Sequence, residues 1–125
     1  SGKASNLPHG GDQQDDMIYH RDIAHAIVLS CYVDRPRYRV FNIGRGKATT
    51  MRHFAEAVQQ IIPNANIQIG DGLDYYGSGI PYYSIYDISR AREDLGFQAK
   101  FTLASGVQDY IDTMGRIGAE PTITV

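Results

Sequence analysis

The sequence predicts a small mixed α/β domain of about four helices and three or four short strands. Two patterns and one set of breaks carry that prediction. Apolar residues recur at helical spacing in separate stretches, each behind a residue able to cap a helix. Short apolar runs of strand length lie between those stretches. Glycine and proline mark the joins, as in Gly44-Arg45-Gly46, Pro63 and Gly96.

The clearest unit runs from Arg39 to Ile62. Val40-Phe41-Asn42-Ile43 reads as a buried strand, and Gly44-Arg45-Gly46 as the turn that ends it. Thr49 or Thr50 offers a hydroxyl oxygen to the free N–H groups of the next helix. Met51, Phe54, Ala55, Val58, Ile61 and Ile62 form its apolar face, Glu56, Gln59 and Gln60 lie opposite, and Pro63 closes it.

Ahead of this unit, Leu7 to Asp12 reads as an extended piece entering a turn, and Met17-Ile18-Tyr19 as a short strand. Asp22 suits an N-cap, and Ile23, Ala24, Ile27, Val28 and Cys31 make an apolar stripe. A helix from Asp22 to about Val33 follows, ended by Asp34-Arg35-Pro36. Beyond Pro63, Ile67-Gln68-Ile69 alternates as a strand does. Gly70 to Pro81 is an aperiodic, glycine-containing loop. Tyr82 to Tyr86 is rich in strand formers. Asp87 or Ser89 caps a short helix through Ala91 and Leu95, with Gly96 as its left-handed stop. Thr102 caps a last helix whose face is Leu103, Val107, Tyr110, Ile111 and Met114, loosened toward its end by Gly115 and Gly118.

Composition narrows the function classes. The chain has 125 residues and a formal net charge of −2 with no basic run, so no nucleic-acid partner is expected. No apolar stretch approaches the roughly 20 residues of a membrane span, so no membrane partner is expected either. A single cysteine, Cys31, leaves no internal disulfide and fits a reducing, cytoplasmic setting. The polar start without an initiator methionine reads as a cut through a longer protein. Helix faces this apolar need a partner surface, from a missing part or from another copy of the chain.

Four constellations bear on chemistry. Gly44-Arg45-Gly46-Lys47 before a helix resembles a phosphate cradle. Thr49 stands where a dinucleotide fingerprint needs its third glycine, so a plain turn is the better reading. Asp15, Asp16, His20, Asp22 and His25 cluster in sequence without zinc-helix spacing, so no metal is expected. Cys31 lies on an apolar stripe, where burial is the expected role. Five of the nine tyrosines fall between Tyr75 and Tyr86. Tyr75, Tyr76, Tyr82 and Tyr83 beside flexible glycines would suit a wall for a sugar-like ring, an interface, or the packing of a strand.

These motifs, in this order, resemble the C-terminal portion of extended short-chain dehydrogenase/reductase (SDR) enzymes, the NAD-dependent sugar epimerase/dehydratase group. The matching residues are Gly11-Asp12, Asp16 to Tyr19, Asp22-Ile23-Ala24, Val40 to Gly44 with Gly46, Asp87 through Gly96-Phe97, and Gly106. The resemblance implies that residues 1–115 are the substrate-binding region of a Rossmann-type enzyme, with 116–125 a tail. It implies NAD or NADP for the complete enzyme, held by an N-terminal Rossmann domain absent from this chain. The family's Tyr-x-x-x-Lys pair is also absent, since Lys3, Lys47 and Lys100 each lack a tyrosine four residues earlier. No catalytic or cofactor-binding residue is therefore expected here. The resemblance carries a substrate-contacting role onto Tyr83. Where nucleotide-sugar epimerases usually place a diphosphate arginine, this chain has Asp15, which repels phosphate. A small hydroxylated or sugar-like substrate, the missing Rossmann domain and self-association are the partners expected. The rival expectation is a free-standing interaction module without enzymatic activity.

Overall fold

A computed structural model describes residues 4–79 and 85–119. Among these described residues the fold is small α/β, with four helices and four very short strands. The strands form two separate two-stranded ladders. β1 (Ser5–Leu7) pairs in parallel with β4 (Ile67–Ile69), Ser5 opposite Ile67. β2 (Gln14–Asp15) pairs antiparallel with β3 (Thr49–Thr50), Asp15 opposite Thr49. The strand expected at Met17–Tyr19 is therefore displaced to Gln14–Asp15. Residues 16–19 pass outside any ladder and lead into the first helix.

α1 spans His20–Tyr32, starting two residues before the expected Asp22. Asp22 is not its N-cap. It lies in the first turn, 1% exposed, and its carboxylate accepts the backbone N–H groups of Lys100 (2.9 Å) and Phe101 (3.1 Å). A buried carboxylate needs such donors, and here a distant segment supplies them.

α1 also turns the opposite face inward from the one expected. Asp22 and Ala26 are buried, and Leu29 and Val33 pack on the core. The stripe Ile23, Ala24, Ile27, Val28 and Cys31 faces outward and is exposed. The expected burial of Cys31 does not hold. Ala26 and Leu29 allow close approach to α3, whereas the branched side chains stand on the free side.

α2 (Met51–Ile61) follows β3 directly, and Thr50 is its N-cap, its hydroxyl accepting from His53 N–H at 3.1 Å. The expected strand at Val40–Ile43 joins no ladder among the described residues. Phe41 and Ile43 nevertheless pack on the core. α3 (Ser89–Leu95) has Ile88 as N-cap, while Asp87 accepts the N–H of Ser89 at 2.9 Å. Gly96 ends it at φ 64, as its left-handed stop requires.

α4 (Leu103–Ile117) opens on a capping box: the Thr102 hydroxyl accepts from Ser105 N–H, and the Ser105 hydroxyl accepts from Thr102 N–H. Gly115 sits inside this helix, and Gly118 caps its end in the left-handed region. Of the run expected as a strand at Tyr82–Tyr86, residues 82–84 lie outside the described residues; Ile85 and Tyr86 are in no strand.

The core lies between α1, α3 and the chain around Phe97. Ala91 and Phe97 are fully buried, with Ala26 and Leu95 beside them. A second packing unit sets α2 against α4. It leaves an open apolar groove of about 600 Å³, lined by Met17, Phe54, Val58, Val107, Tyr110 and Met114 among others.

Candidate functional site

The candidate site grows from the polar segment after β1. Gly11 donates its N–H to Gly70 O at 2.9 Å, and Gly70 N–H returns to Leu7 O at 2.8 Å. A Cβ on Gly70 would overlap the Pro8 carbonyl, so only glycine permits this approach. The start of the loop beginning at Gly70 is thereby pinned against residues 7–11.

Three side chains of the next five residues hold the rest. The Asp12 carboxylate accepts Gly72 N–H at 2.7 Å, and that bond leads the causes that hold its pKa below the usual carboxylate value. Gln13 has no exposed surface. Its Oε1 accepts the N–H groups of Asp74 (3.0 Å) and Tyr75 (3.3 Å), and its Nε2 donates to Asp15 Oδ2 (3.3 Å). Asp16, 8% exposed, accepts Arg45 N–H at 2.7 Å, Gly46 N–H at 2.8 Å and Tyr86 N–H at 3.3 Å. Segment 12–16 thus holds the chain at 72, at 74–75 and at 86.

Within the loop, Asp74 takes φ 67 and folds the chain over its own carboxylate. That carboxylate accepts Ser78 N–H and hydroxyl, both at 2.9 Å, and Gly79 N–H at 2.6 Å. The Ser78 N–H bond is the first of the contacts that lower the Asp74 pKa. Arg52 reaches in from α2 to Asp71 at 2.6 Å and Asp12 at 3.5 Å. Asp71 is nearly fully exposed, so this pair adds little stability.

Two of the expected site tyrosines are brought together. The rings of Tyr75 and Tyr76 lie 4.0 Å apart with a 32° tilt. Tyr75 is half-buried and Tyr76 is 65% exposed. Tyr82 and Tyr83, the other two, lie outside the described residues. Tyr76 thus stands largely in solvent beside Tyr75, on the loop that carries Asp71 and Asp74.

The Gly44-Arg45-Gly46-Lys47 turn has the geometry that its sequence promised and a different occupant. Its backbone N–H groups converge on the carboxylate of Asp16. A Cβ on Gly44 would lie 2.5 Å from Asp16 Oδ2. An anion is bound there, and it belongs to the chain. These residues do not fit a dinucleotide phosphate, which supports the reading of the turn as scaffold.

Gln13 and Asp16 are the residues that sequence reasoning missed as organisers. Gln13 sits in a polar stretch without periodicity, and only the preceding Gly10-Gly11-Asp12 turn hinted that the backbone is constrained there. Among the described residues, no three His, Cys, Asp or Glu side chains converge as metal ligands do. Nor is any helix among them long and apolar enough to cross a membrane. The apolar α2–α4 groove has neither Tyr75 nor Tyr76 in its lining, and that lining suits packing better than recognition of a polar ring.

No family model matches the chain. It is 31% identical to the uncharacterized protein YbjS of Escherichia coli (strain K12) over 132 residues, an alignment covering 82% of this chain. The chain spans 38% of that protein's length. Among solved structures it is similar to MoeE5 in complex with UDP-glucuronic acid and NAD, at 22% identity and a TM-score of 0.74, covering 93% of this chain and 38% of that one. It is similar to the UDP-N-acetylglucosamine 4-epimerase from Bacillus cereus, at 23% identity and a TM-score of 0.74, covering 91% and 39%. It also resembles the GalE-like L-threonine dehydrogenase from Cupriavidus necator, at 23% identity and a TM-score of 0.72, covering 90% and 41%. The fold is thus that of the C-terminal part of Rossmann-type epimerase and dehydrogenase chains.

Proposed function

We propose that the chain is the substrate-binding region of an NAD(P)-dependent epimerase- or dehydratase-like enzyme of the extended SDR family. The carrying observation is the shared fold, which extends over nine-tenths of this chain at TM-scores of 0.72 to 0.74. The complete enzyme would take its nicotinamide cofactor and catalytic pair from outside these residues. On this reading the chain supplies one wall of the substrate pocket, with Tyr75, Tyr76, Tyr82 and Tyr83 as contacts.

The substrate class is a small hydroxylated, sugar-like molecule. MoeE5 is a structure with UDP-glucose or UDP-glucuronic acid bound. Among the described residues, the carboxylates of Asp12, Asp71 and Asp74 lie on or against the loop, with Arg52 paired to Asp71 and Asp12, and Asp15 is tied to them through Gln13. That balance disfavours a diphosphate and favours hydroxyl donors.

Ligand-observed NMR on the 125-residue chain tests this, with methyl β-glucoside and UDP-glucose as probes. Saturation transfer to the glucoside that weakens in Tyr76→Ala is expected, with none to NAD by calorimetry. Micromolar NAD binding, or glucoside binding indifferent to Tyr76, would overturn the reading.

A second reading, a free-standing interaction module, is favoured by one observation: the outward apolar face of α1. A Rossmann fingerprint and a Tyr-x-x-x-Lys encoded upstream of Ser1 would decide for the enzyme; an unrelated upstream domain would decide for the module.

A further inference from the structure

We propose that Gln13 is the positioning residue of the tyrosine site, holding the Tyr75–Tyr76 pair and the Asp15 carboxylate in one rigid frame. The inference rests on the reading of the tyrosine loop as a substrate wall. It goes further by naming the group that sets the wall's geometry.

The argument starts from burial. A primary amide with no exposed surface has lost its water and needs protein partners for every polar atom. Gln13 finds them on both sides. Two backbone N–H groups, from Asp74 and Tyr75, converge on one atom, which must therefore be the oxygen. The nitrogen then faces Asp15 and donates to its carboxylate. The amide is a bridge with a fixed orientation: an acceptor toward the loop, a donor toward the acid.

The position of Gln13 is itself fixed. Its backbone N–H donates to Gly10 O, and its carbonyl accepts Met51 N–H at the start of α2. The loop is tied through this side chain to a ladder and a helix. Loops carry binding groups well only when a rigid scaffold holds them. Without Gln13, Asp74 and Tyr75 would lose these acceptors, and the ring pair would lose its fixed angle.

Two variants separate the two halves of the bridge. Gln13→Ala removes both. Gln13→Glu keeps an acceptor for Asp74 and Tyr75 but replaces the donor facing Asp15 with a second negative charge. The readouts are hydrogen exchange at individual amides and the NMR binding of methyl β-glucoside. In Gln13→Ala, exchange at Asp74 and Tyr75 should rise by about tenfold, as expected for lost hydrogen bonds. Exchange at Lys100 and Phe101, held by Asp22, should stay unchanged, which reports an intact fold. Glucoside binding should weaken in step with the loop exchange. Gln13→Glu should keep the slow exchange at Asp74 and Tyr75 and still weaken glucoside binding, through the displaced Asp15.

Unchanged exchange at Asp74 and Tyr75 in Gln13→Ala would overturn the proposal, as would glucoside binding that persists in both variants. If the parent chain binds no glucoside, or binds it independently of Tyr76, the substrate-wall reading falls, and this inference with it. Faster exchange at Lys100 and Phe101 as well would also overturn it, by making Gln13 a residue of general stability.

Discussion

Tyr19 shows how one side chain joins two helices. Its hydroxyl donates to Asp109 Oδ2 on α4 at 2.7 Å, and Arg21 Nε reaches the same oxygen at 3.0 Å. Its ring meets Phe101 at 4.8 Å, and Gly106 lies beside it on α4. Burial first, then the bond to Asp109, push its pKa up from 10.0 to about 12. The folded chain therefore holds this proton more tightly than the unfolded chain. The stabilisation is fully present below pH 10 and is lost as the pH rises from 10 toward 12. Absorbance titration of the phenolates should show a late-ionising step from Tyr19. Tyr19→Phe should abolish that late step and flatten the loss of stability above pH 10. A late step that survives in Tyr19→Phe would assign it to another ring.

α1 is held by what its own sequence reading misplaced. Asp22 looked like an N-cap because an acidic residue preceded an apolar stripe, the ordinary signature of a helix start. Its carboxylate instead ties the helix to the connector at Lys100 and Phe101, more than seventy residues away. Asp22→Ala should leave two backbone donors with no partner and cost about 3 kcal/mol, read as a fall in the urea midpoint. Asp22→Asn, which keeps one acceptor, should cost less; equal costs would place the effect in packing. α2 and α4 were legible for a local reason, since cap and apolar stripe lie within one stretch of chain, as at Thr50 and Thr102. β4 was legible from its alternation; the Ser105 half of the α4 capping box was not read. Asp22, Asp16 and Gln13 were not, because their partners are backbone N–H groups brought near by the fold. A backbone N–H carries no residue identity, so such a bond leaves no trace in the partner's sequence. The tyrosine cluster was visible as composition. What holds it was visible only in three dimensions.

At the scale of the molecule, two apolar surfaces stand open among the described residues. One is the outer face of α1, where Ile27 is 59% and Tyr32 84% exposed, with Val28 and Cys31 between them. The other is the α2–α4 groove, lined by Phe54, Val58, Val107 and Met114. The periodicity of α1 marked correctly which residues are apolar. It could not mark which neighbour they meet, since amphipathicity specifies a face and not its partner. The inward face of α1 is the narrow one built on Asp22 and Ala26, so its broad face is left for something else. Contiguous apolar surfaces of this kind drive association in water. The 125-residue chain on its own is therefore expected to self-associate at tens of micromolar, as read by sedimentation velocity. Ile27→Glu should shift it toward monomer with little change in stability, because that side chain is already largely in water. A parallel variant in the groove, Val107→Glu, tells the two surfaces apart. Dissociation by Ile27→Glu alone would assign the contact to α1, and dissociation by Val107→Glu alone to the groove. A parent chain that sediments as a clean monomer would show that neither face is sticky enough to need a partner.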